Sequence, residues 1–191
     1  MTQAPEPLSP PAGHYADEYN ALTAIEHFAN GIFSAGMDFL FTWGEFLGVI
    51  GLIAHLARSR VDGPARMTPG KFVGGLFTCA MLVSLPSIIN AGGIQMGFHA
   101  DSFGPIAYVQ PQSFGAAAGA ANAVLSLAKL AGVGFVMSGI SIWRKAGLDG
   151  HTSLSASETI SKGNVKFIAG VLLVFIDRVL DALLASIGLA F

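Results

Sequence analysis

The sequence predicts an all-α integral membrane bundle of four transmembrane helices, built as two similar helical hairpins and preceded by an amphipathic N-terminal helix. The 191 residues are 52% hydrophobic and 12% charged, whereas a typical soluble domain is about 25% charged, and the mean hydropathy is +0.60. Four apolar stretches each reach the length of about 20 residues that a helix needs to cross a hydrocarbon core. Eight of the ten Lys and Arg residues lie in two short segments between these stretches.

The predicted elements follow one another along the chain. Residues 1–13 contain four prolines, which indicates a flexible arm. In residues 14–30, apolar side chains recur at helical spacing opposite acidic ones, which predicts an amphipathic helix that lies at the interface or packs on the bundle. Residues 31–93 form the first predicted hairpin, and residues 94–114 form an outward connector that lies against the bundle or the interface. Residues 115–191 form the second predicted hairpin.

The basic residues predict the topology. The two turns hold Arg58, Arg60, Arg66 and Lys71 in the first hairpin and Arg144, Lys145, Lys162 and Lys166 in the second. Because short loops rich in Lys and Arg stay in the cytoplasm, both turns are expected there. Both termini and the connector are then expected outside the cytoplasm.

The two predicted hairpins resemble each other in sequence. "GVIGLIAHLARSR" is followed by a polar loop and "KFVGGLF", and "GFVMSGISIWRKA" is followed by a polar loop and "KFIAGVL". Two such hairpins in the same orientation form a parallel repeat, although any two apolar hairpins also share composition. Within the first hairpin, Pro86 predicts a kink in the returning span because proline has no backbone N–H.

Five ionisable residues are predicted to share one layer inside the membrane. At about 1.5 Å per helical residue, each lies roughly 17–22 Å from the nearest basic turn. These residues are Glu45, Lys129, Asp177, Arg178 and Asp181. A lone charge at that depth costs about 2.5–3.5 kcal/mol, so the charges should face protein or water, and Lys129 is expected to pair with Asp177 or Asp181.

Two other interpretations of these charges remain open. In the first, the last span is a shorter helix that ends near Ile176, with the tail along the outer interface. In the second, the charges form a proton or ion relay of a small transporter, although transporters usually contain broken helices and a substrate pocket.

Small residues at helical spacing predict close helix packing, either within the chain or between copies. They are Gly44, Gly48 and Gly51 in the first span and Gly115 and Gly119 in the third. The sequence carries no motif for catalysis, dinucleotide binding or metal binding, so neither an enzyme nor a cofactor is predicted.

The segments "LAKLAGVGFVMSGISIWRKAG" and "KFIAGVLLVF" resemble small inner-membrane proteins of conjugation systems related to type IVB secretion, of the TraQ and IcmC (DotE) kind. The chain is also similar in outline to conjugative pilins of the VirB2 class. The resemblance covers roughly residues 40–93 and 115–191. It implies a non-enzymatic, self-associating subunit, either a pilin or a fixed inner-membrane component, with other secretion-system membrane proteins as partners.

If the chain is a pilin, the resemblance further implies a helical polymer with phospholipid packed between subunits. The basic turns would then line a lumen that passes DNA or protein, although the positive-inside rule alone also accounts for them. The alternatives are a small ion-coupled transporter or channel and an assembly chaperone for another membrane protein.

Overall fold

The computed structural model describes residues 12–62, 69–115, 117–148 and 153–188. All regular secondary structure within these ranges is helical. Seven helices occur there: α1 Ala12–Asp62, α2 Pro69–Val83, α3 Leu85–Gln95, α4 Pro111–Phe114, α5 Ala117–Leu148, α6 Ser153–Val174 and α7 Ile176–Ser186. Most of the predicted N-terminal arm, and Arg66 of the first basic turn, lie outside the described residues.

The first helix runs without a break through two predicted elements. With 51 residues, α1 is roughly 75 Å long, so no boundary separates the predicted amphipathic helix at 14–30 from the span expected to begin at residue 31. The Asn30-Gly31 pair does not interrupt it, because a single glycine costs a helix only about 1 kcal/mol.

The second predicted span is sharply broken. The chain bends by 96° between α2 and α3, and the break lies at Ser84, two residues before Pro86. Pro86 has no backbone N–H, so it cannot donate the hydrogen bond that would continue α2. The bend expected at Pro86 is therefore confirmed, but it is far larger than a kink, and it turns α3 across the bundle.

The last predicted span is also interrupted. Helix α6 ends at Val174, Phe175 leaves helical geometry, and α7 begins at Ile176. The Phe175 ring is buried, stacks on Phe98 with 5.4 Å between ring centroids, and fits against Gly93, where any Cβ would overlap it. Helix α6 therefore ends two residues before Ile176, the position near which the shorter-helix alternative placed the end of the last span.

Glycines allow α5 and α6 to pack backbone to backbone. A Cβ on Gly132 would lie 2.8 Å from the carbonyl oxygen of Gly170, and one on Gly139 would lie 2.9 Å from the carbonyl oxygen of Gly163. Between α1 and α2, a Cβ on Gly48 would lie 2.9 Å from the carbonyl oxygen of Cys79. Such close approaches are typical of helices that associate within membranes.

The packed core lies where α1, α2, α3, α5 and α6 meet. Its most buried members include Leu85 and Ile89 of α3, Val136 and Ile140 of α5, and Val171 of α6. Among the described residues, many other large apolar side chains are exposed on the outside of the bundle, ten of them on α1. Exposed apolar surface of this extent is expected where lipid or another protein covers the helices.

Two helices in the described ranges are long and apolar enough to cross a membrane. They are the stretches Thr23–Arg60 of α1 and Ala117–Ala146 of α5. The bent pair α2–α3 counts as a third span if its two helices cross together. These findings are consistent with a membrane location.

Candidate functional site

A non-helical segment, Met96–Gln110, lies against the bundle core and joins α3 to α4. We call it the connector segment. Its backbone groups bond to polar side chains of α3, α5 and α7. Three of these side chains, Asn122, Ser126 and Lys129, follow each other at spacings of four and three residues, so they form one stripe on α5.

The α5 stripe binds the connector segment along its length. Asn122 accepts a hydrogen bond from the Val109 N–H at 2.7 Å and donates one to the Val109 carbonyl at 3.0 Å. The buried Ser126 hydroxyl accepts the Ile106 N–H at 2.9 Å. Because these side chains satisfy backbone groups that have no helical partner, the segment avoids the cost of unpaired polar groups inside the bundle.

Lys129 makes the third contact between the α5 stripe and the connector segment. Its ammonium group makes an ion pair with the Asp101 carboxylate and donates to the Gly104 carbonyl at 3.0 Å. The Lys129 side chain is 5% exposed and that of Asp101 is 16% exposed, so the pair is largely withdrawn from solvent. The expected pairing of Lys129 with Asp177 or Asp181 is wrong, because the connector segment occupies the space beside Lys129.

The position of Lys129 along α5 sets the depth of this contact. Lys129 lies fifteen residues before Arg144, or roughly 22 Å along the helix, whereas a hydrocarbon core is about 30 Å thick. Irregular backbone at membrane depth is tolerated only where protein or a water-filled cavity surrounds it. The connector segment, predicted as an outward loop that lies against the bundle or the interface, packs along α5 as far as Lys129.

Two local features hold Asp101 in place. The Asn90 amide of α3 donates to the Asp101 carbonyl at 3.1 Å and accepts the Asp101 N–H at 2.9 Å. Two residues later, Phe103 adopts a φ of +58°, a conformation that costs a non-glycine residue about 1–2 kcal/mol. Its ring makes an edge-to-face contact with Phe41 of α1, with 5.1 Å between ring centroids, which offsets part of this strain.

Helix α7 contributes the remaining polar contacts. The Arg178 guanidinium donates to the His99 carbonyl at 3.1 Å and lies 3.9 Å from the Asp177 carboxylate. The Asp181 carboxylate lies near the Tyr108 phenol of the connector segment. Burial raises the pKa of the Tyr108 phenol, and the carboxylates of Asp181 and Asp177 act in the same direction because they oppose a phenolate.

The predicted charge layer is therefore only partly assembled. Lys129 and Arg178 both contact the connector segment but at different places: Lys129 contacts Asp101 and Gly104, and Arg178 contacts His99. Glu45 is exposed on α1 and has no ion pair among the described residues. Since polar residues of both α5 and α7 bind the connector segment, the segment joins these helices.

No protein-family model, curated protein or solved structure matches this chain. The chemistry and placement of its own residues are therefore the basis for assigning a function.

The basic residues have different surroundings. Lys166 is half-buried and donates to the Ser138 hydroxyl at 3.2 Å, which links α6 to α5. Lys162 forms an exposed ion pair with Glu158 at 2.7 Å, and this hydrogen bond lowers the pKa of that carboxyl. Exposed positions are also held by Arg58, Arg60, Lys71 and Lys145, whereas Arg144 is half-buried.

The predicted packing glycines also differ from one another. Gly44 and Gly48 lie against α2, and Gly51 lies against the Arg144 side chain. Gly119 of α5 lies against the Glu26 carboxylate of α1. Gly115 packs against nothing within 4 Å, because it has a φ of +58° and ends α4.

Several residues of the site were missed in the sequence. Asp101, Asn90, Asn122 and Ser126 lie in or beside segments interpreted as a loop and as plain apolar spans. The polar residues that recur at helical spacing along α5 could have indicated this contact face. The packing glycines Gly132, Gly139, Gly163 and Gly170 were also missed, although each helix repeats its pair at a spacing of seven residues.

Proposed function

We propose that this chain is a self-associating structural subunit of a conjugative type IV secretion apparatus, either a pilin-like protein or a fixed inner-membrane component. It resides in the bacterial inner membrane and crosses it four times as two hairpins, with both basic turns in the cytoplasm and both termini outside. Its main partners are further copies of itself, other membrane proteins of the apparatus, and lipid. The two long apolar helices support the membrane location.

One observation on α1 carries the self-association. Large apolar side chains recur at intervals of seven residues along its outer side, and all are exposed by 42–62%. They are Ile25, Ile32, Phe39, Phe46 and Ile53. We call these five residues the α1 stripe. A strict seven-residue repeat sustained over four intervals is typical of helices that wind around a partner helix.

Lipid does not account for the whole α1 stripe. The apolar stretch Thr23–Arg60 has 38 residues, or roughly 57 Å of helix, against a hydrocarbon core of about 30 Å. If Arg58 marks one edge of the core, the other edge falls near Asp38. Ile25 and Ile32 then lie beyond the hydrocarbon core, where a protein surface would remove them from water.

Disulfide crosslinking in membranes tests this proposal. Single cysteines at Ile32 and Phe39, introduced on a Cys79→Ala background, are expected to form dimers and larger species upon mild oxidation, because the same face meets in neighbouring copies. The fraction of crosslinked chain is measured on non-reducing gels. Donor cells that carry Phe39→Glu should in addition lose most of their plasmid transfer.

The matched controls are cysteines at His27 and Ser34, which are also exposed on α1 and seven residues apart but lie away from the α1 stripe. Equal crosslinking at control and stripe positions would contradict a specific interface. Normal plasmid transfer from donors that lack the whole chain would contradict a role in conjugation. Recovery of the chain in sheared surface filaments would distinguish a pilin from a fixed component.

A second candidate function, ion-coupled transport, is favoured by the two helix breaks at Ser84 and Phe175. Broken helices and irregular backbone beside buried charges are common at transporter binding sites. The chain reconstituted into liposomes that contain a pH-sensitive dye should then carry protons down a potential gradient, and Asp177→Asn should reduce this flux at least tenfold. Flux equal to that of protein-free liposomes would exclude proton coupling.

A further inference from the structure

A small basic cavity lies at the other end of the bundle from the connector segment. Its volume is about 150 Å³, and it lies between α1 and α5. The lining residues are Gly51, Ala54, His55, Arg58 and Arg144. None of them is acidic.

Arg144 is folded back against α1 at this cavity. A Cβ on Gly51 would lie 2.8 Å from both Cζ and Nη1 of Arg144, so the guanidinium group would have to shift if any other residue replaced this glycine. Neither Arg144 nor Arg58 has an ion pair or hydrogen bond among the described residues. Among the described residues, two guanidinium groups therefore line one cavity with no carboxylate partner, and the guanidinium of Arg144 is half-buried.

His55 makes the wall of the cavity rigid. Its side chain is buried and stacks on Phe72 of α2 with 5.4 Å between ring centroids. Its Nε2 lies 3.0 Å from the Phe72 carbonyl oxygen. Because a carbonyl oxygen only accepts hydrogen bonds, Nε2 carries the hydrogen. A wall fixed before binding lowers the entropic cost of holding a ligand.

We infer that this cavity binds a phosphate group, supplied either by an anionic phospholipid headgroup or by free phosphate. Planar guanidinium groups match phosphate oxygens in a two-pronged hydrogen-bonding geometry. A cavity of about 150 Å³ is large enough to hold benzene, so a phosphate group fits. Arg58 and Arg144 also mark the ends of the two apolar stretches, where lipid phosphates lie, and basic pockets between membrane helices bind such headgroups.

The site goes beyond the proposed function, and its test does not depend on self-association or conjugation. Phosphatidylglycerol is titrated into the detergent-solubilised full chain, and bound lipid is counted by native mass spectrometry. Arg144→Gln and Gly51→Leu should each weaken binding by about tenfold, since one removes a charge-assisted hydrogen bond and the other fills the cavity. Arg144→Lys should retain part of the affinity, because lysine keeps the charge but lacks the two-pronged hydrogen-bonding geometry of arginine.

The controls are Arg60→Gln and Lys145→Gln, which remove the same charge from neighbouring positions that do not line the cavity. Each should change the affinity by less than about twofold. Inorganic phosphate is added as a competitor: displacement of the lipid identifies a site for phosphate itself, and its absence identifies a site that also needs the acyl chains. Equal losses in the control variants, or unchanged binding in Arg144→Gln that keeps the wild-type circular dichroism, would overturn the inference.

Discussion

Lys129→Met is expected to lower the free energy of unfolding by about 3–5 kcal/mol, because it leaves the Asp101 carboxylate buried without its counter-ion. The Gly104 carbonyl loses its hydrogen bond in the same variant. The loss is measured by reversible unfolding in mixed micelles, followed by circular dichroism.

A second substitution distinguishes the ion pair from a general effect of the new side chain. Lys129→Met combined with Asp101→Leu should recover most of the loss, because an apolar pair replaces a buried ion pair at little cost. Lys145→Met, on the exposed end of the same helix, should change the free energy of unfolding by less than about 0.5 kcal/mol. A double variant that is no more stable than Lys129→Met would show that Lys129 and Asp101 are not partners.

Gly132→Ala is expected to destabilise the bundle by about 1–3 kcal/mol, although alanine is the better helix former. Its Cβ would lie 2.8 Å from the Gly170 carbonyl oxygen and from the Val174 nitrogen, and these backbone atoms cannot turn aside as a side chain would. Helices α5 and α6 must therefore move apart, which reduces their packing over several turns. The midpoint of thermal unfolding in detergent measures the effect.

Gly134, two residues away on the same helix, provides the matched control. A Cβ there would meet nothing within 4 Å. Gly134→Ala should therefore leave the midpoint unchanged or raise it slightly, since alanine favours the helix by up to about 1 kcal/mol. A fall in the midpoint as large as that of Gly132→Ala would show that the effect does not come from the close approach of α5 and α6.

The helix breaks at Ser84 and Phe175 differ in how well the local sequence predicted them. Pro86 alone indicated a bend in the second apolar stretch, because the missing N–H is a property of that residue. The angle of 96° depends on what α3 packs against and was not predictable. At Phe175 no proline or glycine marks the break. It became an alternative only because Asp177, Arg178 and Asp181 are costly in a span.

For the buried ion pair between Lys129 and Asp101, the sequence predicted that a partner is needed but not which residue it is. Spacing along α5 placed Lys129 at membrane depth, and the cost of a lone charge there required a partner. The choice between Asp177, Asp181 and Asp101 depended on the path of the connector segment. That path is set by the bend at Ser84, the Asn90 contacts and the positive φ of Phe103, which act together over 20 residues.

The sequence by itself determined that the chain is helical and apolar enough for a membrane, because composition and hydrophobic length do not depend on what lies nearby. It also determined where the positive charges cluster and that buried charges need partners. Only the tertiary structure decided that the connector segment, and not α7, neutralises Lys129. It likewise decided which glycines meet a neighbouring backbone and that Arg144 lies against Gly51. Each of these outcomes is a contact between residues far apart in the chain, and its geometry depends on how the helices bend and cross.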